Sequence, residues 1–294
     1  MRIGFSVQGS GFRFQERALP PRVIRLGLLA LVLIMLLGAA PVRAEVPRVI
    51  ALAPHLAELA FAAGGGDALV GTVAWSDFPP EAAELPLIGD AFRLDLEGIV
   101  GLNPVLALAW EGGTPPAAAD SLAGLGIEVL WIRTRTLADI GQALRILGGR
   151  LGSTALAEAA AERFNTDLAE RPLAASDDLR PAFYQVSDRP LYTLGARHII
   201  NEVLGRCGLR NIFADLDTEA AAVDFEAVLA RQPEVVIISE EPGNADPMAR
   251  WERAQSQLPE SVQLIKVDPT TLIRPTPRII EGIDQLCAEL ATSY

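Results

Sequence analysis

The sequence predicts an α/β protein made of two lobes with mostly parallel sheets, joined by one long helix. Three observations predict this class. Short apolar segments bounded by proline or glycine alternate with helical patterns, which is typical of βα units. The strongest helix pattern after residue 44 lies at 153–172, near the middle of the chain. A helix–proline–strand unit occurs once before that helix and once after it.

The first half of the chain alternates between predicted strands and helices from residue 47 onward. The strands are short apolar runs: Val49–Ala53, Leu69–Val73, Val105–Trp110 and Glu128–Ile132. The helices have apolar residues at helical spacing: Pro54–Ala63, Asp95–Leu102, Ala117–Leu125 and Thr136–Leu147. Asp95 is predicted to cap its helix, since its carboxylate can accept a bond from an unpaired backbone N–H.

The central segment is predicted to be a stiff helix. Ser153 is expected to cap it, and Pro172 ends it because proline disfavours helix in the preceding residue. The helix would be roughly 26 Å long at 1.5 Å per residue. Apolar residues recur every four positions and form one stripe along the helix: Leu156, Ala160, Phe164 and Leu168.

The second half resumes the alternation. Its predicted strands are Arg180–Gln185, Glu234–Ser239 and Leu264–Val267. Its predicted helices are Ile199–Cys207, Asp224–Arg231, Pro247–Gln257 and Pro277–Ala291.

The two halves share an internal repeat. Each has Asp, Glu and Pro at identical spacing in a helix followed by a strand: Asp95, Glu97 and Pro104, then Asp224, Glu226 and Pro233. A weaker repeat places a Glu six residues before a Gly: Glu58 and Gly64, then Glu202 and Gly208. The repeat predicts two Rossmann-like lobes, 47–150 and 176–294, linked by 151–175, with a ligand in the cleft between them.

The N-terminus has the features of an export signal. Residues 1–44 carry a charge of +5, whereas the remaining chain carries −17. Four arginines between residues 13 and 25 precede an apolar run, Leu26–Ala40, and small residues end at Ala44. We expect cleavage after Ala44, with an uncleaved anchor as the alternative. The acidic body argues against nucleic acid as a partner, because phosphate binding needs basic patches.

The chain has two cysteines, Cys207 and Cys287. An even number in an exported chain favours one disulfide, with two buried free thiols as the alternative.

Catalytic signatures are missing: the sequence has no phosphate-binding glycine loop, nucleophile elbow or zinc-ligand spacing. The candidate ligand contacts are instead aromatic residues at strand ends and in loops, Trp75, Trp110 and Tyr192, with Arg274 able to bind a carboxylate or amide. His55 follows the first strand, either as a ligand of a metal centre or as a hydrogen-bonded loop histidine. His198 is given no role.

Several stretches together resemble a known family: Glu58–Gly64, Ser76–Pro80 after an aromatic residue, Leu96–Glu97, Ala109–Trp110 before two glycines, Asn211–Phe213, Val228–Arg231 and Arg274–Ile280. From about Pro47 to the C-terminus, the chain resembles the periplasmic cobalamin-binding proteins of ABC importers. These belong to the wider set of helical-backbone metal-chelate receptors.

The resemblance implies a monomeric, non-catalytic carrier in the periplasm, without a cofactor of its own, that holds a corrinoid such as cobalamin. It implies ligand contacts at Trp75, Trp110, Tyr192 and Arg274. It also implies a disulfide between Cys207 and Cys287. Glu97 and Glu226 match the two lobe glutamates that dock onto arginines of the paired membrane subunits.

The sequence departs from the family pattern at three positions where further tryptophans are expected: Ala91, Ala220 and Thr271. Phe92 would partly compensate. The cleft is therefore expected to be roomier or to suit another corrinoid, haem or a ferric siderophore, with His55 then an iron ligand. The alternatives from other classes are a two-lobed chelatase-like enzyme and an acidic envelope interaction protein.

Overall fold

The computed structural model describes residues 46–90, 93–175, 179–239, 248–254, 258 and 261–292. The predicted export signal and Phe92 lie outside the described residues, as does part of the predicted helix Pro247–Gln257. Within the described ranges, no helix combines the length and apolar character needed to cross a bilayer.

The first lobe contains a four-stranded parallel sheet covered by helices. Its strands are β1 (Val49–Ala51), β2 (Leu69–Thr72), β3 (Leu106–Trp110) and β4 (Glu128–Ile132), in the order β2-β1-β3-β4. Its helices are α1 (Pro54–Ala62), α2 (Pro80–Ala83), α3 (Leu96–Leu102), α4 (Pro116–Gly124) and α5 (Leu137–Leu151). Asp95 caps α3 as predicted, since its carboxylate accepts the N–H of Gly98 at 3.0 Å.

Helix α6 (Thr154–Ala169) leads to the second lobe, which repeats the parallel sheet. The strands of that sheet are β5 (Arg180–Gln185), β8 (Leu209–Asn211), β10 (Val235–Ser239) and β11 (Gln263–Val267). A small antiparallel sheet comprises β6 (Ser187–Asp188), β7 (Leu191–Leu194) and β9 (Ala220–Ala222). The helices are α7 (Ile200–Arg206), α8 (Phe225–Ala230), α9 (Ala249–Arg253), α10 (Pro269–Leu272) and α11 (Ile279–Thr292).

The two parallel sheets have the same topology. In each lobe the first strand lies between the second and third, so β8-β5-β10-β11 repeats β2-β1-β3-β4. The repeat extends to the backbone: Asn103 and Gln232, each directly before proline, are left-handed, with φ of 47° and 51°. The residue after each proline donates a 2.8 Å backbone bond to the neighbouring first-strand segment: Val105 to Arg48, and Glu234 to Pro181. The predicted two-lobed α/β class is confirmed.

Helix α6 is fixed at both ends. Near its N-terminus it packs tightly on α5, where a Cβ added to Gly148 would lie 2.1 Å from the Cβ of Ala157. Just past its C-terminus, Arg171 binds Asp284 of α11 through two hydrogen bonds of 2.6 Å. A continuous buried apolar core runs from α1 through α5 and α6 to α7 and α11. The linking helix is therefore part of the core of both lobes.

The buried face of α6 differs from the predicted stripe. The buried residues are Ala157, Ala160, Ala161 and Phe164, whereas Leu156 is 62% exposed. Small side chains are needed where α6 approaches α5. Packing against α5 therefore determines which face of α6 is buried. The predicted cap is also wrong, because Ser153 accepts no capping bond with its side chain.

Two further details depart from the sequence expectations, and a third confirms one. Helix α5 continues to Leu151, four residues beyond its predicted end, and stops at Gly152, whose φ is 79°. The segment that holds Tyr192 was expected to be a loop but is strand β7. The predicted disulfide is confirmed, since Cys207 at the end of α7 is bonded to Cys287 in α11.

Candidate ligand-binding cleft

A cavity of about 190 Å³ lies between the lobes, at the carboxyl ends of the first-lobe strands. His55 follows β1, Trp110 ends β3 and Thr134 follows β4. The second lobe closes the cavity with His198, Ile199, Glu219, Ile273, Arg274 and Pro275. Ligands of open α/β sheets bind at this edge, where strand ends and loops converge.

Trp110 forms one wall of the cavity and is positioned by its own loop. Its backbone N–H donates to the hydroxyl of Thr114 at 2.9 Å. A Cβ on Gly112 or Gly113 would come within 2.5 Å or 2.4 Å of the indole. The glycines are thus required because the loop folds directly onto the ring, which explains the Trp-x-Gly-Gly pattern in physical terms.

His55 packs edge-on against Trp110, with ring centroids 5.0 Å apart and an interplanar angle of 83°. The side chain is 5% exposed. Burial, together with electrostatic interactions with Arg274 and with the ring of His198, lowers the pKa of His55 to about 3. The imidazole is therefore neutral at physiological pH, and its buried Nε2 has no hydrogen-bond partner among the described residues.

His198 also lines the cavity, although the sequence suggested no role for it. Burial lowers its pKa to about 4. Its Nδ1 accepts the N–H of Ile200 at 3.0 Å, which fixes the ring at the start of α7. The cavity thus contains two neutral imidazoles, one from each lobe.

Two more polar side chains at the cavity were not predicted from the sequence. The hydroxyl of Thr134, a residue 4% exposed, has no hydrogen-bond partner in the described structure. Oε1 of Glu219 has no hydrogen-bond partner among the described residues either. It lies 3.7 Å from Nε of Arg135. Burial raises the pKa of Glu219 despite the nearby arginines. A buried polar atom left unpaired costs about 1–3 kcal/mol, so these atoms are suited to a ligand that would pair with them.

Arg274 lines the cavity, as expected for a ligand contact, but its guanidinium already has partners in the opposite lobe. It donates to Oδ1 of Asp77 at 2.5 Å and to the carbonyl of Trp75 at 3.2 Å. Burial opposes ionisation of Asp77, yet the hydrogen bond and charge of Arg274 outweigh it and lower the pKa of that carboxyl. Arg274 therefore connects the two lobes across the edge of the cleft.

Trp75 combines exposure with an unfavourable backbone. Its side chain is 76% exposed, and its φ of 69° is rare for a bulky residue. Such a conformation costs on the order of 1–3 kcal/mol and is concentrated at functional sites. Tyr192, by contrast, is 38% exposed in β7, where it pairs with Ala222 of β9, and it does not line the cavity.

A second pair of residues joins the lobes beneath this edge. Arg278, just before α11, donates to both carboxylate oxygens of Glu58 in α1 at 2.8 Å, and its guanidinium lies 3.8 Å from the ring centre of Phe78. The repeat partner of Glu58 makes an equivalent crossing, because Glu202 in α7 accepts the N–H of Leu137 at the start of α5. The Glu58–Glu202 repeat was the sequence signal for these contacts.

Glu97 and Glu226 occupy equivalent positions in the first turns of α3 and α8. Both side chains are exposed, and neither forms a salt bridge with another described residue. Glu226 also borders a surface cavity of about 750 Å³ on the second lobe. The two carboxylates are accessible to a partner, one on each lobe.

The comparison that decides the family covers most of the chain. Residues 49–269 match the periplasmic binding protein family. The chain belongs to this family. The periplasmic binding protein therefore has a small-molecule ligand, an ABC transporter as partner and no enzymatic activity, and it acts in the periplasm.

Individual relatives agree with the fold. The vitamin B12-binding protein of Vibrio cholerae is 36% identical over 253 residues, covering 86% of this chain and 91% of the relative. The crystal structure of periplasmic vitamin B12 binding protein BtuF of Vibrio cholerae covers 84% of this chain and 97% of its own, with 35% identity and a TM-score of 0.75. A periplasmic heme binding protein from Pseudomonas aeruginosa is 25% identical, with coverage of 85% and 94% and a TM-score of 0.70.

Proposed function

We propose that this periplasmic binding protein captures cobalamin or a related corrinoid between its lobes and delivers it to an ABC importer. The observation that carries the proposal is Trp110, an aromatic wall of the interlobe cavity held in place by Gly112 and Gly113. A flat macrocycle needs such a face. The similarity to the vitamin B12-binding protein of Vibrio cholerae supports this ligand.

Binding of a corrinoid requires the lobes to separate. The cavity of about 190 Å³ is smaller than the roughly 300–1,000 Å³ of typical small-molecule sites. The hydrogen bonds of Arg274 to Asp77 and to the Trp75 carbonyl stand at its edge, so they would break as the cleft opens. The freed guanidinium and the exposed indole of Trp75 then become available to the ligand. Tyr192 and Phe92 are proposed as further contacts on the second and first lobe.

Delivery would use the two equivalent glutamates. We assign Glu97 and Glu226 to docking on arginines of the two membrane subunits, with the receptor as a monomer. Each of the two similar lobes presents one exposed carboxylate. This arrangement is complementary to a transporter whose two membrane subunits are related by two-fold symmetry. In this scheme residues 1–44 are the cleaved signal peptide, 47–150 and 176–294 are the lobes, and 151–175 link them.

A haem receptor is the second candidate, because the buried, neutral His55 has a free Nε2 that could bind iron. The corrinoid and haem proposals are distinguished by calorimetric titration. Protein purified from the periplasm is titrated separately with cyanocobalamin, dicyanocobinamide and hemin. We expect a corrinoid dissociation constant below about 10 μM, equivalent to about −7 kcal/mol, and weaker hemin binding. Hemin binding alone would overturn the corrinoid proposal.

A further inference from the structure

His55, Thr134 and Glu219 form a cluster at the interlobe cavity that the structure itself leaves incomplete. Each of these three residues has a buried side-chain atom without a hydrogen-bond partner in the described structure: Nε2, Oγ1 and Oε1, respectively. All three line the same cavity, two from the first lobe and one from the second. We refer to them as the polar cluster. Groups of this kind are satisfied by a bound molecule with complementary donors and acceptors.

None of the three side chains of the polar cluster carries a positive charge. His55 is neutral, Thr134 carries no charge, and Glu219 is acidic. Arg274 also lines the cavity. Its guanidinium lies at the edge of the cleft, bonded to Asp77 and to the Trp75 carbonyl, and on opening it would be available to a part of the ligand at that edge. Arg135 forms a salt bridge with Oε1 of Glu219 at 3.7 Å, too long for a hydrogen bond, and it lines a different cavity, beside Trp131.

This chemistry suits amides and opposes carboxylates. A carboxamide has two N–H donors for the oxygens of Glu219 and Thr134, and a carbonyl that can accept from the hydroxyl or from an imidazole N–H. A ligand carboxylate would have only acceptors, and it would face the like charge of Glu219 in a buried site. Like charges placed together are a means of rejecting the wrong ligand.

We propose that the polar cluster is a subsite for the neutral carboxamide side chains of the ligand, and that Glu219 sets the preference for amide-bearing over carboxylate-bearing macrocycles. The inference rests on the proposed corrinoid function and deepens it. It also gives a physical reason to expect weaker binding of haem, whose propionates are carboxylates.

The test compares cyanocobalamin with its b-, d- and e-monocarboxylic acids, in each of which one propionamide is hydrolysed to a carboxylate. Affinities are measured by calorimetry at pH 8 for the unchanged protein, Glu219→Gln and the control Glu111→Gln. Glu111 is an exposed residue next to Trp110, and it lines the cavity beside Trp131 rather than the interlobe cavity. Its substitution therefore shows the effect of removing a nearby negative charge that is not part of the polar cluster.

For the unchanged protein we expect at least one monocarboxylic acid to bind about tenfold more weakly than cyanocobalamin. Glu219→Gln should reduce that ratio to about threefold or less, while Glu111→Gln leaves it unchanged. Thr134→Val, which keeps the shape but removes the hydroxyl, should weaken cyanocobalamin binding about fivefold.

Two results overturn the inference alone: monocarboxylic acids that bind as well as cyanocobalamin, or a ratio that is the same in the unchanged protein and Glu219→Gln. In both, cyanocobalamin binding remains and the corrinoid function stands. If the unchanged protein does not bind cyanocobalamin, the proposed function fails and the inference fails with it.

Discussion

The carboxylate of Glu58 in the first lobe and the guanidinium of Arg278 in the second form a bidentate ion pair with two bonds of 2.8 Å. The side chain of Glu58 is 3% exposed and that of Arg278 is 17% exposed. Because the pair is removed from water and joins the lobes, each partner depends on the other for compensation of its charge.

Arg278→Met is therefore expected to lower the free energy of unfolding by about 3 kcal/mol, since it leaves Glu58 buried and unpaired. Urea titration followed by circular dichroism measures the change. The control is Arg145→Met, which breaks the exposed pair between Arg145 and Glu158 and should have little effect. Equal small losses in both variants would show that the buried pair does not hold the lobes together.

Trp110→Ala is expected to weaken cyanocobalamin binding by at least about tenfold, because it removes the aromatic wall of the cavity. Trp131→Ala is the matched control. This residue lies in the same lobe, is 39% exposed and does not line the interlobe cavity. Calorimetric titration compares the two, and an unchanged affinity in Trp110→Ala would remove this residue from the site.

Glu97→Ala combined with Glu226→Ala is expected to leave ligand affinity unchanged but to abolish uptake through the transporter. The physical reason is that neither of these exposed carboxylates lines the interlobe cavity, while they present equivalent charges on the two lobes. Uptake of labelled corrinoid by cells and calorimetry on the purified protein measure the two effects. Normal uptake in the double variant would contradict the docking role.

The control for this experiment is Glu84→Ala combined with Glu162→Ala. Both residues are exposed and lie outside the repeat, so this variant loses the same charge. It should transport normally.

Acidification is expected to destabilise the fold through His55. Its pKa is about 3 in the folded chain, against an ordinary value of 6.5, so the unfolded chain binds more protons between these values. The stability contributed by the neutral ring is complete above about pH 6.5 and decreases as the pH falls toward 3. At pH 5 the loss from this residue is about 2 kcal/mol.

Urea unfolding at pH 7.5 and pH 5.0 tests this effect by comparing the unchanged protein with His55→Gln. The variant should lose about 2 kcal/mol less on acidification, because glutamine does not titrate. An identical loss in the two proteins would mean that His55 is not buried as a neutral ring.

The sequence predicted seven of the eight strands of the two parallel sheets, because central strands buried on both faces appear as unbroken apolar runs, such as Val235–Ser239. Strand β8 (Leu209–Asn211) was missed, since it has only three residues. The small antiparallel sheet was missed since its strands span only two to four residues and include exposed positions such as Tyr192. Leu156 was predicted wrongly to be on the buried face of α6, because packing against α5 selects that face and leaves no pattern in the local sequence. The predicted cap at Ser153 was also wrong.

The candidate site was only partly accessible to sequence reasoning. Trp110 could be found because it ends an apolar strand, and His55 because it lies shortly after one, at the start of α1 rather than in a loop. Thr134 also lies shortly after a strand. Glu219 and His198 come from loops of the second lobe with no motif around them. Their role depends on burial and on missing hydrogen-bond partners, which only the folded arrangement reveals.

The attachment of α6 at both ends has a mechanical consequence. Gly148 and Ala157 hold its first turns against α5, while Arg171 and Asp284 tie the chain just past its end to α11. If the lobes separate to admit a ligand, we expect a helix attached at both ends to flex along its length rather than to rotate about one end. Long helices curve gently, and sharp bends need a proline, a glycine pair or an inserted group. We therefore expect the helix to resist wide separation of the lobes and to favour a small opening.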